Sequence, residues 1–227
     1  QLCAAVNGFA GPKSDELVTQ VAEGRSFELI DDFSKDTFHA NQYFRLEVRL
    51  VEDGYHCWLD FSEVKERAFQ RGPWEPSLLT NDQIQKRLPS VMKWLDTAAS
   101  RENQYLWGGT IGPNFDCSGL VQAAFASQGI WLPRDAYQQE KFCEPLKISS
   151  DNYQILRSGD LLFFGTLQRC THVAIYRGEG IYCHSSGIIN GRNGIGFDGI
   201  QLIDQSAVAC FYRSKLRGAG RIVHCHD

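Results

Sequence analysis

Apolar and polar positions alternate with a period of two in the first third of the chain, and helical and strand periods mix after it. Leu46, Val48 and Leu50 alternate with Arg45, Glu47 and Arg49, which predicts a strand with one wet face. Ser26–Ile30, Tyr43–Val51 and Tyr55–Leu59 are rich in β-formers, and Glu52-Asp53-Gly54 supplies a hairpin turn between the last two. Gly24–Phe69 therefore reads as the short strands of a small antiparallel barrel. Ahead of it, Asp15–Ala22 fits an opening turn of helix as well as it fits a strand. Arg71-Gly72-Pro73-Trp74-Glu75-Pro76-Ser77 is built of chain-breaking residues, so the chain divides into residues 1–70, a linker over 71–82 and a second domain over 83–227.

The second domain opens with Asp82 as a helix cap. Apolar residues follow at Ile84, Leu88, Val91, Leu95 and Ala98, and Pro89 is expected to kink or restart the helix. Tyr105-Leu106-Trp107-Gly108-Gly109 is an aromatic segment whose glycines permit close backbone approach. Beyond it, Leu120, Val121, Ala124 and Phe125 form the buried stripe of a helix, with Gln122 and Ser127 on its opposite face. Cys117 falls in the first turn, where unpaired N–H groups and the helix dipole favour the nucleophilic thiolate. The plainer alternative is a small buried residue at a helix start. Pro133–Gln139 begins another short helix, and Arg157–Gly165 reads as a turn and then a buried strand.

Thr171–Tyr176 and Ile181–Ser186 make a hairpin with His172 on one arm and His184 on the other. Facing positions of an antiparallel pair sum to a constant, so these two histidines share a face only if that constant is even. A strict two-residue Gly178-Glu179 turn makes it odd. A three- or five-residue loop or a bulge, with a glycine at positive φ, is therefore expected.

Composition narrows the function. A net charge of -4 without any run of Lys and Arg argues against nucleic acid and anionic membrane surfaces as partners. No apolar stretch approaches the length of a membrane span. Gln1–Val6 lacks the charged start and long apolar run of a signal peptide, although the only Met is Met92, so that a removed or missing segment upstream is an expectation. The eight cysteines show no CxxC pair, and Cys57 and Cys183 fall in strands, which favours a reducing compartment over disulfides. His224-Cys225-His226 lie too close together for a closed tetrahedral site and sit at a terminus expected to be mobile. No metal and no cofactor are expected, and the protein reads as a monomer.

The residues left for chemistry are Cys117, His172 and His184. A thiol nucleophile needs a base, and the base needs a third group to hold its tautomer. His172 fits the base and His184 the orienting group, with the Cys117 backbone N–H as one oxyanion donor.

Tyr105-x-Trp107-Gly108-Gly109, Asp116-Cys117-Ser118-Gly119-Leu120-Val121, Pro133-Arg134-Asp135-x-x-Gln138, Gly159-Asp160-Leu161-x-Phe163-Phe164, His172-Val173-x-Ile175-Tyr176 and His184-Ser185 together resemble the NlpC/P60 family of cell-wall cysteine peptidases. The likeness covers about residues 83 to 215. Asp53-Gly54-Tyr55-x-x-Trp58-Leu59 resembles a bacterial SH3-type domain, as in two-domain members of that family. The resemblance implies an α+β fold, with a papain-like catalytic domain preceded by a small all-β SH3-like barrel. It also implies a Cys117, His172 and His184 triad acting on the γ-D-glutamyl bond to a diamino acid in murein stem peptides, such as diaminopimelate.

In members with an N-terminal SH3 domain the cleft admits a peptide only when its L-Ala amine is free. For that cationic group Asp135, beside Arg134, is the candidate carboxylate, with an N-cap role as its alternative. Asp116 and Ser118 would hold the substrate's backbone or α-carboxylate region, Tyr105 and Trp107 would wall the site, and Tyr55 would reach across from the first domain. Ala136 stands where the subgroup often has Ser. A non-catalytic wall-peptide-binding module, or a thiol acyltransferase or amidase of related fold, is the other reading. The free-amine requirement and free thiols favour cytoplasmic recycling, with a secreted or periplasmic enzyme as the alternative.

Overall fold

The computed structural model describes residues 1–30, 45–149 and 153–226. Two antiparallel sheets make up the framework. Strands β1 (Val6–Phe9), β2 (Leu17–Val21), β3 (Phe27–Leu29), β4 (Arg45–Leu50) and β5 (His56–Asp60) form the first, in the order β2-β1-β5-β4-β3. Asp15–Ala22 resolves as a strand because Thr19 and Val21 alternate inward onto a core with Val6, Val48, Leu50 and Leu59. Tyr43 and Phe44, assigned to β4 from sequence, lie outside the described residues.

One element of this region was not expected. Phe61–Arg67 is a short helix, α1, where strands were predicted; it buries only Val64 and joins Glu63 to Arg67 one turn on. A pattern with one apolar anchor carries too little period to be recognised.

Residues 71–80 have no regular structure and are mostly exposed. Helix α2 (Asn81–Ala99) then runs unbroken through Pro89, against the expected restart. Pro89 lies on the wet side, where water can take up the Gln85 carbonyl that proline leaves without a donor. Its cap is Thr80 rather than Asp82: Thr80 Oγ1 accepts from Gln83 N at 3.3 Å, and Gln83 Oε1 accepts from Thr80 N at 2.8 Å.

The second sheet follows the order β10-β9-β8-β7-β11-β6, from strands β6 (Glu144–Leu146), β7 (Leu161–Gly165), β8 (Cys170–Gly178), β9 (Ile181–Ser186), β10 (Gly194–Gly199) and β11 (Leu216–Arg221). Helices α3 (Cys117–Ala126) and α4 (Ala136–Phe142) pack on β8, and α5 (Ala207–Ser214) packs on β10. The core between α2, α3 and the sheet holds Ile84, Val91, Leu95, Leu120, Val121, Phe125, Val173 and Ile175. An α+β domain behind a small all-β region is the resulting architecture.

Buried polar contacts lock the two regions together. Gln122 was assigned from sequence to the open face of α3, but α3 is covered on both sides, and Gln122 Nε2 donates to Asp53 Oδ2 at 2.8 Å and to the Leu132 carbonyl at 2.9 Å. Arg25 links Glu52 and Asp53 and lies 4.9 Å over the Trp131 ring. Thr110 and Gln20 exchange hydrogen bonds across the same junction. Gly108 has φ +75°, and a Cβ there would stand 2.5 Å from the Leu17 carbonyl oxygen, so only glycine lets the aromatic segment pass the first domain. The tail, expected to be mobile, is docked: His226 N bonds the Trp131 carbonyl at 2.9 Å, and the His224 ring lies 4.2 Å from Phe142. Among the described residues His224, Cys225 and His226 belong to no metal-binding cluster, and all eight cysteines are free thiols.

Candidate active site

Asp116 caps α3 and makes Cys117 its first residue. The Asp116 carboxylate accepts from Gly119 N at 2.6 Å, Gly108 N at 3.0 Å and Ser118 Oγ at 3.2 Å, and it ion-pairs with buried Arg134. Arg134 also donates to Ser118 Oγ at 3.0 Å and, across the domain junction, to Thr19 Oγ1 at 3.3 Å. Gly119 lies so close beneath Gly109 that a Cβ would fall 2.0 Å from the Gly109 oxygen. Nucleophile helix, aromatic segment and first domain are thus pinned at one point.

Asp116 lines the cavity, and its oxygens are taken up by backbone N–H groups, Ser118 and Arg134, so it holds Cys117 at the start of α3. One expectation is corrected. The Cys117 thiol, expected to favour thiolate, is pushed up to about 12 by burial and by the Asp116 charge, against the pull of the Val173 and Ser118 N–H groups and Arg134. Desolvation outweighs the helix terminus.

The histidines occupy one face of the second sheet. Ile175 faces Cys183 and Tyr176 faces Tyr182, an even register, and a bulge at Arg177 separates these pairs from Gly178 facing Ile181. Glu179 and Gly180, both at positive φ, close a two-residue turn. Of the alternatives that parity allows, an odd loop or a bulge, the bulge is the one present. His172 Nε2 lies 2.8 Å from His184 Nδ1, and His184 Nε2 lies 2.7 Å from Asp198 Oδ2, which also takes a hydrogen bond from Arg192. A carboxylate offers only acceptors, so His184 carries its proton on Nε2 and accepts on Nδ1. His172 then donates from Nε2, and Nδ1 is left with the lone pair of a base. Burial lowers both histidines below their ordinary range, His172 further because His184 adjoins it. The Tyr212 ring stacks on His172 at 4.3 Å, and its hydroxyl is tied to Ser186 at 2.6 Å and Asn190 at 3.0 Å.

Two cavities meet across this site. One, of about 440 Å³, holds Cys117 with Asp116, Ser118, Asp135, Tyr55 and Arg169 on its walls. The other, of about 390 Å³, holds His172, Tyr212 and Lys215. Tyr105, Trp107 and Thr171 line both. Every residue singled out from sequence is thus at the site except His184, which lies behind His172, fully buried. Asp135 is both a cavity wall and the cap of α4, where Gln138 Oε1 accepts from its N–H at 3.0 Å. Asp198, Tyr212, Arg169 and Val18 were missed. Asp198 had a faint signal, since Ile195 and Phe197 alternate with Gly196 and Asp198, but its partner depends on a register the sequence leaves open.

Two family models match the chain: the NlpC/P60 family over residues 102–206 and the bacterial dipeptidyl-peptidase SH3 domain over residues 8–63. The chain carries an NlpC/P60 domain behind a bacterial SH3 domain. Among curated relatives of this NlpC/P60 chain, the bifunctional muramidase/DL-endopeptidase CwlT of Bacillus subtilis is 35% identical over 185 residues, 72% of this chain and 50% of that protein. A gamma-D-glutamyl-L-lysine dipeptidyl-peptidase of Bacillus cereus is 38% identical over 84 residues, 36% of this chain and 24% of that protein. The chain spans half or less of the length of both. A crystal structure of a NlpC/P60 family protein from Bacillus cereus superposes with a TM-score of 0.48 and 23% identity, over 97% of this chain and 60% of that one.

Proposed function

We propose that this chain is a cysteine endopeptidase of peptidoglycan stem peptides, cutting the γ-D-glutamyl–diamino acid bond behind a free N-terminal L-Ala. The observation that carries the reading is the His172–His184–Asp198 relay, with the N–H of Val173, next to His172 on β8, reaching the thiol of a cysteine at a helix start. Thiol and imidazole are both neutral at rest, so the proton passes from Cys117 to His172 as sulfur bonds to the γ-carbonyl carbon. The first helical N–H groups have no partner within α3, and that of Cys117 serves the oxyanion. His172 then protonates the leaving amine, and water releases the thioester. The names of the relatives, a DL-endopeptidase and a gamma-D-glutamyl-L-lysine dipeptidyl-peptidase, support this bond type.

Asp135, half-buried on the cavity wall, receives the L-Ala ammonium, and Tyr55 and Val18 of the SH3 domain close that end. Because intact wall stems carry an acylated L-Ala, a free-amine requirement assigns the enzyme to released fragments. Mass-spectrometric cleavage of L-Ala-γ-D-Glu-diaminopimelate beside its N-acetylated form tests this. Cleavage of the free peptide alone is expected. Equal cleavage removes the gate, and cleavage of neither favours a binding module.

A further inference from the structure

The cavity on the cysteine side carries charges of both signs, and they are not equally spent. Arg134 and Asp116 neutralise each other, and Ser118 and Thr19 take up more of the Arg134 donors. Asp135 and Arg169 remain: both line the cavity, and neither stands in an ion pair among the described residues. They are close enough that the Arg169 charge acts on the Asp135 carboxyl.

Arg169 is not a loose surface side chain. It ends the turn between β7 and β8, where its N–H bonds Thr166 Oγ1 at 3.2 Å and its carbonyl accepts from Thr166 N at 3.0 Å. Its guanidinium lies 4.3 Å over the ring of Tyr137, itself a cavity residue; Lys141 Nζ approaches the same ring at 5.9 Å but does not line the cavity. A held, planar cation whose guanidinium has no hydrogen-bond acceptor among the described residues suits a bidentate carboxylate.

A dipeptide bound through a γ-glutamyl carbonyl brings two charges into this cavity, an ammonium at its N-terminus and the free α-carboxylate of the glutamyl residue. We propose that Arg169 binds that α-carboxylate while Asp135 binds the ammonium, so that the pair selects a zwitterionic aminoacyl-γ-glutamyl group. This inference rests on the peptidase reading above and adds what recognises the γ linkage: an α-linked glutamyl residue has no free α-carboxylate to offer.

The test compares kcat/KM for L-Ala-γ-D-Glu-diaminopimelate and for the same peptide with the glutamyl α-carboxylate converted to a carboxamide, in wild type, Arg169→Met and Arg169→Lys. Wild type should prefer the acid by about tenfold or more, the loss expected for a charge-assisted hydrogen bond, and mainly in KM. Arg169→Met should cut the two peptides equally, and Arg169→Lys should keep part of the preference. Equal loss on both peptides in Arg169→Met, or no preference in wild type, overturns the proposal.

If wild type cuts neither peptide, the peptidase reading falls, and calorimetry of L-Ala-γ-D-Glu with Cys117→Ala protein decides the charge reading separately. Binding about tenfold weaker in the Cys117→Ala/Arg169→Met double variant sustains it. Unchanged binding overturns it.

Discussion

Two buried polar networks meet at this site, and they are built on opposite principles. Around Asp116, two fixed charges neutralise each other, and the surplus hydrogen-bonding capacity goes to Gly108, Ser118, Gly119 and Thr19. Along His172, His184 and Asp198, two of the three members are held neutral by burial. The first network has nothing to exchange and so serves as a frame. The second can take up and return a proton. Fixed charge gives position, and suppressed charge gives chemistry.

Substitutions sharpen this contrast, and the largest effect is expected at the cysteine. Cys117→Ala should lower turnover by at least about 10³-fold with an unchanged circular dichroism spectrum; near wild-type turnover would remove the nucleophile assignment. Arg134→Met leaves Asp116 buried and unpaired, and should cost on the order of 3–5 kcal/mol in urea unfolding. Asp198→Asn should spare stability and reduce kcat by roughly 10²-fold, because the amide can hold the His184 ring in the wrong tautomer. If Asp198→Asn instead unfolds the protein and leaves kcat intact, the relay is a frame as well.

Acidity separates the networks again. Both histidines have folded-state pKa values below the ordinary histidine range of about 6.5, so they add stability above that pH and lose it as pH falls towards the folded values. The urea midpoint should therefore decline below about pH 6.5, while kcat/KM holds its plateau to lower pH than a solvent-exposed histidine would allow. A kinetic step at the unperturbed value would contradict the neutral base. Smallest of all, Gln122→Leu should cost about 1 kcal/mol in the urea midpoint, since Asp53 keeps Arg25 as its partner.

Local pattern made much of this legible. Alternation at Leu46–Leu50, the cysteine before an apolar helix and the parity of His172 and His184 each depend on residues near in sequence, and counting alone called for an odd loop or a bulge if the histidines share a face. Pro89 and Gln122 show where such reading stops. Proline's cost depends on which side of α2 meets water, and a glutamine on a helix looks exposed until Asp53, 69 residues earlier, is laid against it.

By itself, the sequence determined most of the elements, the two-region order and the three candidates for acyl-transfer chemistry, because periodicity and nucleophile spacing are local properties. Only the tertiary structure decided that Asp198 completes the relay, that Asp116 is consumed by Arg134, that burial raises the Cys117 thiol, and that Asp135 and Arg169 share a cavity with Tyr55. Each of these turns on desolvation or on a contact between distant segments, and neither is encoded in the spacing of neighbouring residues.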